Sequence, residues 1–253
     1  MEPVSSTRNQ HVVRAVRLHR ARGRREADAT LLEGPHVLAE AVASGASVTD
    51  VFGLVDDRTA RALAEQAGAR WIPVIAEVLR KIADTDNPRG PIAIVRIPGP
   101  TTLGADRIWL DTSDPGNAGT LIRTAAAFGF GVMMDPEAVD PWSPKVVRSA
   151  AGGHFRTALA SGPPGDAHTI ATVVEGGTPI TEIARLLPEE RPVCLLIGNE
   201  AHGLARQLVE EADLAVTIPM VGKIESLNAA VAGAICMYEL MLARRSLAAR
   251  RLE

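Results

Sequence analysis

The chain has little of several things, and each scarcity removes a class of function. Only two of its 253 residues are cysteine, Cys194 and Cys236, and both sit in apolar runs, PVCLLIG and AAVAGAICMYEL. Two thiols make no zinc cluster, and in such surroundings they read as small buried hydrophobes. Aromatic residues are 3% of the chain, so the core must be packed from Ala, Val, Leu and Ile. No uninterrupted apolar stretch approaches the roughly 20 residues that span a bilayer. The opening MEPVSSTRNQ is polar and lacks the apolar centre of a signal peptide. A soluble, cytoplasmic protein is expected. Net positive charge is missing too: the formal value is −3, so bulk charge announces no nucleic-acid partner.

What is present is distributed unevenly. Arg8, Arg14, Arg17, Arg20, Arg22, Arg24 and Arg25 crowd the first segment, where Glu2 is the only acid before Glu26. A locally basic face can follow a phosphate backbone even on an acidic protein. The plain alternative is a solvated, Arg-rich helix. Arg14, Arg17, Arg22 and Arg24 are the candidate RNA contacts here, joined by Lys145 and Arg148 further on.

The Pro/Gly-rich stretch at residues 97–102 suits a linker, dividing the chain into 1–98 and 103–253. Before it, strands are expected at residues 30–33, 48–55, 71–75 and 92–97, with helices at 35–44, 58–67 and 76–83. That is a small α/β domain. After it, strands are expected at 107–111, 131–134, 169–174, 193–197 and 214–218. Helices are expected at 118–128, 143–151, 179–187, 204–211 and 226–245. The apolar run VCLLI fits a parallel strand buried on both faces, and Arg244 and Arg245 suit the negative end of the last helix dipole.

Open parallel sheets bind ligands beyond the carboxyl ends of their strands. Three such ends carry polar, glycine-bearing loops: residues 111–124, 197–204 and 218–229. Each has a plain explanation, since Asn117 and Ser226 could cap the helices that follow and turns favour glycine. The candidates for chemistry are Asn117 and Arg123 from the first loop, Glu200 from the second, and Ser226 and Asn228 from the third. The free N–H groups opening the final helix suit a carboxylate or phosphate. Arg123, in an Ala/Leu/Ile-rich helix, calls for an anion or a cleft to face. His154 and His202 read as structural, Trp109 as strand packing, and Trp142 as either base stacking or loop packing.

NxGxxxR at Asn117–Arg123, IGNEAxGL at Ile197–Leu204 and IPMxGxxESLNxxxA at Ile218–Ala232 resemble the three signature motifs of the SpoU/TrmH branch of SPOUT methyltransferases. PKVVRSAAGGHFR, Pro144–Arg156, is similar to another stretch of that family. The first half, through LLEGPHVLAEA (Leu31–Ala41) and NPRGPIAIV (Asn87–Val95), resembles the ribosomal-protein-like RNA-binding domain that often precedes the catalytic one. The resemblance implies an α/β fold with a C-terminal trefoil knot, a homodimer, and transfer of a methyl group from S-adenosyl-L-methionine (AdoMet) to a ribose 2′-hydroxyl, with no metal. It implies cofactor contacts at Val173, Val174, Ile197, Gly198, Glu200, Ile218, Met220, Ser226 and Leu227. It gives catalytic or orienting roles to Arg123, Asn117, Glu200, Ser226 and Asn228, with Glu225 a nearby carboxylate. A guanidinium is a poor base near neutral pH, so Arg123 is better cast as gripping a phosphate and orienting the hydroxyl. Ribosomal RNA is the expected substrate, with transfer RNA, or a non-catalytic RNA-binding role, as alternatives. A dinucleotide-binding oxidoreductase fits less well, because Gly116-x-x-Gly119 lacks the G-x-G-x-x-G spacing.

Overall fold

Two sheets organise the chain in the computed structural model, which describes residues 2–88, 90–99, 103, 106–222 and 224–250. In chain order the elements begin α1 (Gln10–Arg17), α2 (Ala21–Ala27), β1 (Ala29–Glu33), α3 (Pro35–Ala43) and β2 (Val48–Gly53). There follow α4 (Arg58–Gln66), β3 (Arg70–Pro73), α5 (Ala76–Ile82), β4 (Ile92–Arg96), β5 (Arg107–Leu110), α6 (Pro115–Phe128) and β6 (Gly131–Met134). The rest are α7 (Pro144–Ala150), β7 (Leu159–Ser161), β8 (His168–Thr172), β9 (Thr178–Pro179), β10 (Val193–Ile197), α8 (Arg206–Glu211), β11 (Leu214–Thr217) and α9 (Ala229–Arg250). Residues 100–102 of the expected linker lie outside the described residues.

By packing, one unit comprises Met1–Gly99 with Asp140–Arg156, and the other Pro100–Val139 with Thr157–Glu253. The first unit holds a mixed sheet of order β1-β4-β2-β3, antiparallel except for the parallel β2–β3 pair. Alternation of side chains along a strand sends neighbours to opposite faces. Leu31, Phe52, Ile92 and Ile94 therefore pack with Val12 and Ala15 of α1, Leu18 just after it, and Val78, Leu79 and Ile82 of α5. Leu32, Val51, Ala93 and Val95 pack on the other side with Leu38, Ala41, Ala60 and Ala64. Val147 of α7 joins this second cluster, flanked by Trp142 and Phe155. The segment 140–156 is thus core to this unit, although it lies late in the sequence.

Two expectations change in this unit. The Arg-rich opening is two short helices, and α1 is amphipathic, with Val12 and Ala15 inward and Arg14 and Arg17 exposed. Arg24 is not available to RNA. It is 4% exposed; its guanidinium donates to the carbonyls of Leu18 (2.8 Å) and His19 (2.9 Å) and pairs with the Asp140 carboxylate. An arginine can be buried when every donor has such a partner. Arg14 reaches Asp50 at 3.4 Å, Arg22 pairs with Glu26 at 2.7 Å, and Arg148 pairs with Asp84. Arg17 and Lys145 are exposed.

His154 supplies a pH-dependent term in the same unit. Its Nε2–H donates to the Pro141 carbonyl at 2.7 Å, and its ring lies 4.8 Å from that of Trp142. Trp142 itself packs, partly buried, against the second cluster, in line with the loop-packing alternative. Burial pushes the His154 pKa down from 6.5 to about 4. The unfolded chain therefore takes up a proton below about pH 6.5 that the folded one refuses until about pH 4. Stability falls as pH drops through that window, by on the order of 3 kcal/mol at most. Urea midpoints compared at about pH 5 and pH 7.5 are expected to converge in His154→Phe relative to the wild type. An unchanged difference would assign the slope to other groups.

The second unit holds a seven-stranded sheet of order β7-β6-β5-β10-β8-β11-β9, with every pairing parallel. β10 is buried along its whole length, as both-face coverage requires. Trp109 packs with Cys194 and Leu196 on one face, where Leu204 and Leu208 cover them, and its indole N–H donates to the Gly162 carbonyl at 3.0 Å. On the other face α9 comes down at Gly233, where an added Cβ would lie 2.5 Å from Leu121 Cδ2 and 2.6 Å from Ile197 Cδ1. Burial pushes Cys194 up to about 11 and Cys236 up to about 12, in keeping with inert thiols.

Several local expectations are corrected here. The expected helix at 179–187 is a 3-10 helix, Ile180–Arg185, with Ile180 and Ile183 buried three apart. The strands β7 and β9 were not anticipated; they are three and two residues long, too short for periodicity to register. The last helix starts at Ala229, not Ser226, and continues to Arg250. Arg244 is therefore not at the helix end. It forks onto Asp106 at 2.7 and 2.8 Å and donates to the carbonyls of Pro188 and Arg191.

Candidate active site

Parallel neighbours place their carboxyl ends on one sheet edge, and β5, β10, β8 and β11 are successive neighbours. The loops after β5, β10 and β11 are consequently adjacent, though far apart in sequence. Hydrogen bonds extend the ladder to that edge: Asp111 N–H to the Ile197 carbonyl at 3.0 Å, Thr172 Oγ1 to the Leu196 carbonyl at 2.8 Å and Thr217 Oγ1 to the Val174 carbonyl at 2.7 Å.

The loop after β5 ends in a cap, but Asn117 is not the capping residue. Asp114 occupies that place, its Oδ1 accepting from Asn117 N at 2.7 Å, with Pro115 at the first helical position. Asn117 is left with its side chain free for other work. Its Nδ2 donates to Glu200 Oε1 at 2.8 Å, and its Oδ1 accepts from Asn228 Nδ2 at 3.0 Å. Asn228 in turn caps α9, its Oδ1 accepting from Ala230 N at 2.9 Å and Val231 N at 3.2 Å. Those two N–H groups, expected to be open to an anion, are occupied. One chain of hydrogen bonds thereby ties together the three loops. Thr112, which sequence reasoning passed over, donates its hydroxyl to Glu200 Oε1 as well. The only signal for it was its place two residues before the capping aspartate.

The loop after β10 closes on itself. Asn199 and Gly203 exchange backbone hydrogen bonds at 3.1 and 2.8 Å, and Ala201 N donates to Asn199 Oδ1 at 2.9 Å. Gly203 takes φ +69°, and Gly198 allows the returning strand to pass: a Cβ there would sit 2.3 Å from backbone atoms of Gly203 and Leu204. Glu200 is presented at the tip. Burial pushes its pKa up, but the hydrogen bonds from Thr112 and Asn117 outweigh this and hold it below the ordinary range. Asp111 is raised, first by burial and then by Asp135, Glu200 and Glu137, against the opposing His202.

Beside this network lies a cavity of about 630 Å³, a size suited to a small-molecule ligand. Val173, Val174, Ile197, Gly198, Glu200, Ile218, Met220, Ser226 and Leu227 all line it, as do Glu225 and Asn228. Apolar walls from the β8, β10 and β11 ends suit a purine ring, and two carboxylates suit a cation. The donor set fits a nucleoside carrying a sulfonium. Arg123 does not join the others. Six residues beyond Asn117 on α6, it points to a different helix face; it is exposed and does not line the cavity. Exposure also removes the desolvation cost that its apolar sequence context suggested.

The SpoU rRNA Methylase family matches residues 107–238, and the MRM3-like substrate binding domain matches residues 9–93. The 23S rRNA (guanosine(2553)-2′-O)-methyltransferase RlmP of Bacillus subtilis is 30% identical over 95% of this chain and 99% of its own. The AdoMet-bound rRNA methyltransferase of Sinorhizobium meliloti superposes with a TM-score of 0.80 at 29% identity, covering 97% of this chain and 98% of that one. The SpoU methyltransferase AviRb of Streptomyces viridochromogenes, in complex with AdoMet, gives 0.82 at 26% identity, covering 94% and 99%. With the three motif loops joined at one cavity and both halves of the sequence matched, the chain belongs to the SpoU rRNA methylase family.

Proposed function

We propose that this protein transfers a methyl group from AdoMet to a ribose 2′-hydroxyl of ribosomal RNA. The observation that carries this reading is the Glu200–Asn117–Asn228 hydrogen-bond chain beside the cavity of about 630 Å³. Bound AdoMet supplies an electrophilic methyl on a sulfonium. The protein's task is then to align a hydroxyl with that methyl and to receive its proton. Val173, Val174, Ile197, Gly198, Ile218, Met220 and Leu227 form the donor pocket. Glu200, held ionised, faces the sulfonium and the incoming hydroxyl; Ser226, Asn117 and Asn228 orient the substrate side. Arg123 grips the target phosphate. The unit of residues 2–99 with 140–156 binds the RNA, with Arg14, Arg17, Arg22, Lys145 and Arg148 as contacts, and the rest of 103–253 forms the methyltransferase domain. The enzyme works in the cytoplasm, where this substrate is.

Labelled AdoMet with ribosomal and transfer RNA in separate reactions tests the reading. Label is expected in ribosomal RNA, as a ribose whose 3′ phosphodiester resists alkali. Incorporation into transfer RNA alone, or AdoMet binding with no incorporation, would refute it.

The reading includes a homodimer. Val231, Tyr238 and Leu242 form an exposed apolar stripe on α9, on the solvent side of its packing with α6, where Phe128 and Tyr238 rings lie 5.7 Å apart. Such a stripe suits a self-complementary interface. A second copy on this face would bring an Arg123 to a cavity that it does not line within one chain. Tyr238→Glu is expected to halve the mass measured by light scattering, and an unchanged mass would place the interface elsewhere.

A further inference from the structure

Beyond the family's motif residues, the geometry points to Thr112 as a positioning residue that ties one oxygen of Glu200 in place and leaves the other to accept the ribose proton. This rests on the methyltransferase reading above. Thr112 is 1% exposed, so its hydroxyl cannot exchange freely with water, and a lost partner would leave it unsatisfied. A hydroxyl carries one proton. Thr112 Oγ1 accepts from Asp114 N at 3.3 Å, and its proton goes to Glu200 Oε1. The Thr112 carbonyl accepts from Val139 N at 2.9 Å, which fixes the backbone from which the hydroxyl projects. Asn117 Nδ2 donates to the same Oε1. Both side-chain donors thus converge on one carboxylate oxygen, while Glu200 itself is exposed.

The character of those donors matters. No cation is paired with Glu200 among the described residues; its ionised form is favoured by neutral hydrogen bonds. A carboxylate locked to a guanidinium would be a poor acceptor, whereas one held by neutral donors stays charged and keeps Oε2 open. As the oxygen–methyl bond forms and the carbon–sulfur bond breaks, with its electron pair left on sulfur, the hydroxyl proton passes to Glu200 and then to water. Thr112 touches no reacting atom. It acts through Glu200.

The test uses Thr112→Val, which keeps the shape and removes the hydroxyl, Thr112→Ser, which keeps the hydroxyl, and Thr112→Ala should the valine variant not fold. The titration of Glu200 is followed by carboxyl ¹³C NMR in the full chain without RNA, and methyl transfer is followed as a function of pH. Losing one donor to the charged form raises the Glu200 pKa toward the ordinary carboxylate range. The acid limb of kcat moves up with it, giving a several-fold loss at the acid end of the profile that fades toward neutrality, with KM for AdoMet unchanged. Thr112→Ser restores both. A Glu200 titration and acid limb that stay put in Thr112→Val, or a loss equal at every pH that serine does not rescue, would overturn the proposal. The titration needs no turnover. Wild-type protein that methylates no RNA would sink the methyltransferase reading, while a moved titration would still support the hold of Thr112 on the carboxylate.

Discussion

Gly198→Ala is expected to lower AdoMet affinity at least about 100-fold, some 2.7 kcal/mol. The added Cβ would lie 2.3 Å from the Gly203 carbonyl carbon and the Leu204 nitrogen, and 2.7 Å from the Gly203 oxygen. These are backbone atoms, so no rotamer change relieves the clash. The loop must open. Its two hydrogen bonds between Asn199 and Gly203 then break, and Glu200 leaves its contacts with Thr112 and Asn117. The control is Gly222→Ala in the loop after β11, where an added Cβ meets nothing within 4 Å; affinity within about twofold of wild type is expected there. Calorimetric titration with AdoMet distinguishes the two, with circular dichroism confirming that each variant is folded. Equal affinities would mean that the loop conformation is not what holds the donor.

Arg123→Ala gives the second large effect: a fall in methyl transfer on the order of 10²–10³-fold with AdoMet affinity unaffected. The split follows from placement. Arg123 is exposed on α6 and absent from the cavity lining, so its loss leaves the donor pocket intact. On the proposed reading, losing the charge that grips the target phosphate misaligns the hydroxyl and costs rate instead. Lysine is expected to restore little, because a point charge cannot reproduce a planar fork. Mixing addresses the dimer directly. Equal amounts of Arg123→Ala and Gly198→Ala chains, each inactive alone, are expected to recover about a quarter of wild-type activity by random pairing. In a mixed dimer one site has both an intact pocket and an intact arginine. No recovery after subunit exchange would place Arg123 and the pocket it serves in the same chain.

Much of the fold was legible because it rests on local periodicity. The strands at 131–134 and 193–197 were read with the bounds they have, and most others within two residues, since alternating or continuous apolar runs bounded by Gly, Pro and Asp leave few alternatives. The errors have identifiable causes. At Ile180–Arg185, apolar residues three apart satisfy a 3-10 helix as well as an α-helix. Asn117 looked like a cap because asparagine often is one, yet Asp114, with proline after it, took that place. Arg24 looked like an RNA contact because charged side chains are usually exposed. Its burial depends on Asp140, more than a hundred residues away.

By itself the sequence determined the element order, the three polar loops and the residue types available for chemistry, because helical and strand periods and turn residues act over a few positions. Only the tertiary structure decided which side chains meet. Parallel pairing of β5, β10, β8 and β11 set three remote loops on one edge, and a hydroxyl with no motif of its own, that of Thr112, came to rest on Glu200. Hydrogen bonds reach about 3 Å and depend on angle, so their partners follow from sheet order and register, which no local pattern encodes.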